Sequence, residues 1–244
     1  MTLRLLVIQH QDTCPPALLG RWLVEAGLTL DVRRPDQGEQ LPPDLTGHDA
    51  LMVLGGTMDS FDEAGHPWLG DTIGLLGRAV HEEVPTLGVC LGHQLLARAC
   101  GGVVARNPRG RQLGLLPMGW TEAALHDALV NGLAVPGPQA RGLHWNQDIV
   151  VEVPSSSVVL ARTPLGEPQV VRFGERAWGI QAHPEASEDV VRWWADDAAP
   201  DVVPVQADRV VAEVGAAAEE LRATWQPLAT AFADLVGVGS ESRA

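Results

Sequence analysis

The chain has 244 residues, 45% of them hydrophobic and 20% charged, and a net charge of −14. Its seventeen basic residues are all arginine, against 31 acidic ones, and so acidic a surface repels phosphate, which argues against nucleic acid and anionic membranes as partners. No apolar run approaches the ~20 residues of a spanning helix, and Gln9-His10-Gln11-Asp12 follows Met1 too soon for a signal peptide, so a soluble, cytoplasmic protein is expected.

The first hundred residues alternate strand and helix signals. Leu3 to Gln9 is an apolar run suited to a buried parallel strand, and a helix is predicted from about Pro16 to Ala26, with Pro in its first turn and Gly27 beyond its end. Leu28 to Arg33 and Ala50 to Leu54 read as strands, the second stopped by Gly55-Gly56. A helix from Leu69 to Glu83, a strand from Thr86 to Val89 and a helix from Leu91 to Cys100 follow, closed by Gly101-Gly102. This β-α-β alternation predicts an α/β fold with a mostly parallel central sheet and helices on both faces.

The middle section changes character. Leu115 to Trp120, Val158 to Arg162, Gln169 to Phe173 and Trp178 to Ala182 read as strands with little helix between them. They predict a small antiparallel extension plus strands returning to the core. From Ser187 the chain turns helical again, and an apolar stripe runs through Val210, Val214, Ala217, Leu221, Trp225, Leu228, Phe232 and Leu235. Pro227 is expected to kink or restart that helix. The acidic excess concentrates here: ten acidic residues lie between Glu185 and Glu220, against only Arg192 and Arg209. A solvated helical surface accounts for that. The expected division is a domain over 1–195 and a helical extension over 196–244 packed on it, with a homo-oligomer interface left open.

Chemistry concentrates in Gly88-Val89-Cys90-Leu91-Gly92-His93-Gln94. A strand enters and a helix leaves, so Cys90 falls on a sharp turn at a helix N-terminus, flanked by the glycines such a turn demands. A helix N-terminus and a neighbouring imidazole both favour thiolate over thiol. Cys14 and Cys100 lack that context and read as small buried hydrophobes. An odd, irregular set of three cysteines builds neither a disulfide framework nor a zinc knuckle. For the base, His183 stands out in Trp178-Gly179-Ile180-Gln181-Ala182-His183-Pro184-Glu185. It ends an apolar strand, and Glu185 across a stiff Pro link can orient its ring. His93 is the rival base. The other histidines have no companions at metal-ligand spacing, and no metal or cofactor is expected. Gly55-Gly56, ending another strand, can expose main-chain N–H groups to complete an oxyanion hole with Leu91.

Together, Gly55-Gly56, Gly88 to Gln94 and His183-Pro184-Glu185 resemble a class I (triad) glutamine amidotransferase domain over about residues 1–195. The likeness is strongest to stand-alone members similar to the glutaminase half of GMP synthase, and includes Asp62-Glu63 and Pro67-Trp68-Leu69. The resemblance implies Cys90 as nucleophile, His183 as general base and acid, and Glu185 as its orienter. Gly56 and Leu91 correspond to oxyanion-hole amides, and Gln94 to a residue seating the substrate. The implied reaction releases ammonia or an amine from glutamine or a related γ-glutamyl compound through a γ-glutamyl thioester. Four positions depart from the pattern: Thr57 where many relatives have Pro, Ala182 where an aromatic often precedes the histidine, Gln112 for a Glu, and Asn146 for a His in the Trp145-Asn146-Gln147-Asp148 loop. Nothing resembles an ATP-pyrophosphatase loop. Three readings stay open: a self-contained γ-glutamyl hydrolase, a glutaminase subunit feeding a separate synthase, and a non-catalytic regulatory or binding module on the same fold.

Overall fold

The computed structural model describes residues 2–134, 139–197 and 202–243. Residues 198–201, which fall at the start of the expected helical extension and include Asp201 of its acidic run, lie outside the described residues. The first half follows the predicted order: β1 (Leu3–Ile8), α1 (Ala17–Glu25), β2 (Leu28–Arg33), β3 (Ala50–Val53), α2 (Trp68–His81), β4 (Thr86–Val89) and α3 (Leu91–Ala99). The second half supplies β5 (Val103–Arg106), β6 (Gln112–Pro117), β7 (Gly119–Trp120), β8 (Arg141–Asn146), β9 (Asp148–Glu152), β10 (Val158–Arg162), β11 (Pro168–Gly174) and β12 (Ala177–Ile180). Helices α4 (Glu188–Asp196), α5 (Pro204–Ala216) and α6 (Ala218–Arg243) follow.

One eight-stranded sheet organises these elements, in the order β2-β1-β3-β4-β12-β11-β10-β7. The five strands from β2 to β12 are mutually parallel, and β11, β10 and β7 continue antiparallel. The pairs β5/β9 and β6/β8 form two small antiparallel ribbons. The fold class is therefore as predicted: a mostly parallel α/β sheet with a small antiparallel extension and C-terminal helices.

Strand alternation sorts the core into two layers. Leu5 and Val7 of β1, Met52 of β3 and Ile180 of β12 meet residues of α1, α4, α5 and α6 on one face. Leu6, Ile8, Leu51 and Val53 meet α2 and α3 on the other. Because both faces are covered, β3 and β4 are buried at every residue, as parallel strands between helical layers must be.

Three local expectations change. The single strand predicted over Leu115–Trp120 divides at buried Met118, with β6 paired to β8 and β7 joining the main sheet. The strands β5, β8 and β9 carry no strand prediction. The C-terminal stripe breaks at Ala217, between α5 and α6, rather than restarting at Pro227, which lies inside the continuous α6. A proline forfeits one main-chain hydrogen bond. Burial of Trp225, Leu228 and Phe232 against the parent core holds that turn helical. Glu220 of α6 also grips Arg141 of β8 through paired hydrogen bonds of 2.8 and 2.5 Å.

Candidate active site

The C-terminal ends of the central strands converge on one cleft, the position where open α/β sheets bind ligands. Cys90 stands between β4 and α3 with φ +50° and ψ −105°, a left-handed backbone that a non-glycine residue adopts only under strain. The glycines on either side are there for space. A Cβ on Gly88 would come 2.5 Å from the carbonyl oxygen of Gly92, and one on Gly92 would come 2.0 Å from that of Val53. The turn is pinned from both neighbouring strands, by Cys90 N–H donating to Ile180 O (2.8 Å) and Gly92 N–H to Leu54 O (3.1 Å).

His183 follows β12, the strand next to β4, so sheet order brings it to Cys90 across 93 positions of sequence. A side chain built on Gly55 would sit 3.3 Å from His183 Cε1 and 3.6 Å from Cys90 Cβ. Gly55, expected among the oxyanion or substrate-binding residues, therefore leaves room for the imidazole beside the sulfur. Nδ1 of His183 donates to Glu185 Oε1 at 2.7 Å, with both side chains buried. Its Nε2 has no hydrogen-bond partner among the described residues. Burial opposes charge on this ring, but the Cys90 sulfur and the Glu185 carboxylate outweigh it and raise His183 to about 10. The main-chain carbonyl of Glu185 accepts from Leu18 N–H at the start of α1 (3.0 Å), which fixes the loop carrying the pair. The Trp194 indole of α4 lies tilted against the His183 ring, 4.6 Å between centroids.

Gly56 lines the cleft together with Cys90, and Leu91, the next residue after Cys90, opens α3. Among the described residues no acceptor meets the main-chain N–H of Gly56 or Leu91, as expected for Leu91 in the first turn of a helix. Gln94 lines the cleft, its Nε2 donating to Asp148 O (3.0 Å) and Gln181 Oε1 (3.2 Å). Gln181 in turn donates to Cys90 Sγ at 3.6 Å. The cleft, of about 340 Å³, is completed by Trp145, Asn146, Asp148, Arg106 and Arg111.

All seven candidate residues thus meet at one place, and His93 does not. Its imidazole is packed between Gly179 and Phe173, and burial lowers it to about 3. Cys100 is half-buried and outside the cleft, its thiol pushed up to about 11 by burial. Cys14 is the small buried hydrophobe its sequence context suggests, packed in the core, and it also lines the same cleft as Cys90. Its thiol is raised chiefly by burial, with Glu185 and Cys90 adding to the effect. Gln181, Trp145 and Trp194 are the residues missed by sequence reasoning. A lone Gln in the apolar run before His183 was the one available signal. Asn146, noted as a departure, donates to Gln112 Oε1 (3.0 Å), so the two departures at 112 and 146 are partners.

A cysteine on a strained strand–helix turn beside a His–Glu pair, on an α/β sheet of this order, has the geometry of a nucleophile elbow. Residues 17–191 match the glutamine amidotransferase class-I family, and the chain belongs to it. It is 27% identical over 203 residues to a glutamine amidotransferase-like protein of Salmonella typhimurium, covering 80% of each chain. It is 29% identical over 148 residues to γ-glutamyl peptidase 5 of Arabidopsis thaliana, covering 61% of this chain and 58% of that one. The crystal structure of a glutamine amidotransferase from Thermotoga maritima superposes with a TM-score of 0.84 at 21% identity, over 96% of this chain and 99% of the other.

Proposed function

We propose that the protein hydrolyses the side-chain amide of glutamine or of a related γ-glutamyl compound, unaided by a synthase. The observation that carries this reading is the buried His183, held by Glu185 at 2.7 Å with its second nitrogen unpartnered beside Cys90. In the first step the Cys90 sulfur attacks the γ-carbonyl carbon, and the carbonyl oxygen becomes an oxyanion received by the N–H groups of Gly56 and Leu91. Protonated His183 gives its Nε2 proton to the departing nitrogen, the C–N bond breaks, and ammonia or an amine leaves a γ-glutamyl thioester on Cys90. Water then gives a proton to His183 Nε2 and attacks the thioester carbon. Breaking the C–S bond releases the γ-carboxylic acid, which gives its proton to the solvent or the freed ammonia, and restores the thiolate sulfur and the imidazolium. Glu185 holds the ring and stabilises its charged form. Gln94 and Gln181 fix the floor of the cleft beside the sulfur.

Two features favour action without a partner. One relative is a γ-glutamyl peptidase, and α5 and α6 cover α4, β6, α1 and β8 with their own apolar stripe, leaving less of the domain free for a synthetase. Steady-state kinetics on the purified chain tests the reading, with glutamine first and then a panel of γ-glutamyl amides and peptides. Turnover of at least one compound, abolished in Cys90→Ala, is the expected result. No turnover until a co-purified synthase is added would leave the glutaminase-subunit reading in its place.

A further inference from the structure

The departure at position 57 has a structural consequence on the opposite side of the cleft. A threonine there carries a main-chain N–H and a hydroxyl that a proline would not. Both are taken by one atom: Oε1 of Gln11, beyond the end of β1, accepts from Thr57 N and from Thr57 Oγ1, each at 2.8 Å. A main-chain N–H can only donate, so the Gln11 amide must present its oxygen here. Its Nε2 then donates to Thr13 Oγ1 at 2.6 Å. The Gln11 backbone is itself held, its carbonyl accepting from Gln9 Nε2 (2.9 Å) and Cys14 N (3.3 Å). The Thr13 carbonyl accepts from Trp194 Nε1 at 2.7 Å, and the Trp194 ring rests on His183. A continuous polar strap therefore runs from the Gly56-Thr57 loop, through Gln11 and Thr13, to the aromatic wall of His183.

We infer that Gln11 is a positioning residue, clamping the Gly56-Thr57 loop from β1 so that the Gly56 N–H is aimed at the reacting carbonyl oxygen. The inference rests on the proposed role of Gly56 as an oxyanion donor. Side chains of Met58, Leu91 and His10 pack closely around Gly56, but packing alone does not set the direction of an N–H. The Gly56 N–H has no partner within the chain among the described residues, so the peptide linking Gly56 to Thr57 is fixed at its far end by Gln11. Thr57 lines the cleft while Gln11 does not, so the glutamine acts through the threonine rather than on the substrate. An oxyanion donor counts in the transition state more than in the bound ground state, so its misplacement lowers kcat with little change in KM.

The test is a double-mutant cycle, read with glutamine and with γ-glutamyl-p-nitroanilide. Gln11→Met keeps the side-chain length and removes the acceptor. It is expected to lower kcat about tenfold, with KM within about twofold and a melting temperature lowered by no more than a few degrees. Thr57→Pro removes both donors that Gln11 serves, so adding Gln11→Met in that background is expected to cost nothing further. A Gln11→Met enzyme with normal kcat, or one whose loss is the same with and without Thr57→Pro, overturns the inference. A rise in KM alone also overturns it, because that marks a binding contact. Cys90→Ala is run alongside: if it retains activity, the proposed mechanism fails, and if it is dead while Gln11→Met is normal, only the role of Gln11 fails.

Discussion

Helices α2 and α3 lie side by side on the same face of the sheet, each delivered there by a strand-to-helix passage, yet they treat glycine and backbone strain in opposite ways. The residue before α2, Pro67, is relaxed at φ −55° and ψ −30°. Three glycines, Gly70, Gly74 and Gly77, run along its length, and a Cβ on any of them would touch nothing within 4 Å. The residue before α3 is Cys90, at φ +50°, and the adjoining glycines are pressed against the carbonyls of Gly92 and Val53. Glycine in α2 is a loss of helix propensity without compensation. Glycine around α3 is what lets two strands and a helix close to backbone contact and lift one side chain into the cleft. At these two helix starts, the positive φ and the backbone-to-backbone packing belong to the elbow that presents the sulfur, and the start of α2 has neither.

The sharpest way to break that contrast is to add one methyl group to each helix. In Gly92→Ala the new carbon would lie 2.0 Å from the oxygen and 2.7 Å from the carbon of the Val53 carbonyl. These are backbone atoms inside a central strand and cannot swing aside. A loss of about 4 kcal/mol or more is expected, visible as insoluble protein or an early chemical-denaturation midpoint. A stable, active Gly92→Ala protein would mean that the elbow is far more compliant than its contacts indicate.

The next effect concerns what the elbow serves. His183→Ala is expected to lower kcat at least about a thousandfold, because the imidazole itself moves the proton. Glu185→Gln keeps the ring in place through a weaker bond, and its loss is expected to be roughly two orders of magnitude smaller. Equal losses in two well-folded variants would show that the roles are divided otherwise. The same variants carry a pH signature. The folded value of His183 is raised, from the ordinary 6.5 to about 10. The stability gained from its charged form is therefore fully present below pH 6.5 and is lost as pH rises through about 10. The stability advantage of the wild type over His183→Ala should narrow across that window, and in Glu185→Gln the imidazole titration, followed by NMR, should fall.

How much of this was legible follows from where each element hides its polar groups. The strands β1, β3 and β4 are apolar on both faces because helices cover both, and such runs are readable without any partner in view. The ribbons β5/β9 and β6/β8 pair segments some forty and thirty residues apart. They place polar residues such as Asn146 and Asp148 in the cleft and bury Gln112 against Asn146, so their sequences carry no clean alternation. Cys90 is readable because its turn needs flanking glycines, and His183 with Glu185 because a short Pro link joins them. Gln181, Trp194 and Gln11 are different. Each earns its place through a contact with residues distant in sequence, such as Gln181 with Cys90 at 3.6 Å and Trp194 with Thr13 at 2.7 Å. Cys14 likewise reaches the cleft in a loop before α1 that Trp194 of α4 holds through Thr13. No periodicity announces such a contact.

The smallest effect tests the quiet side of the comparison. Gly70, Gly74 and Gly77 recur at spacings of four and three, so they share one face of α2, while Leu69, Thr72, Leu75, Leu76 and Ala79 supply its buried face. With open space at all three positions, alanine should add helix propensity and reduce the entropy of the unfolded chain, each change contributing about 0.5–1 kcal/mol. In a chain of this size that corresponds to a rise of a few degrees in melting temperature per substitution. The effects should be close to additive, since none of the three side chains has a neighbour to meet. No residue of α2 lines the cleft, so kcat and KM should stay at wild-type values in the triple variant. A triple alanine protein that is no more stable, or that loses activity, would show that the outer face of α2 makes contacts the isolated chain does not reveal. The contrast with the elbow glycines would then be one of partners rather than of strain.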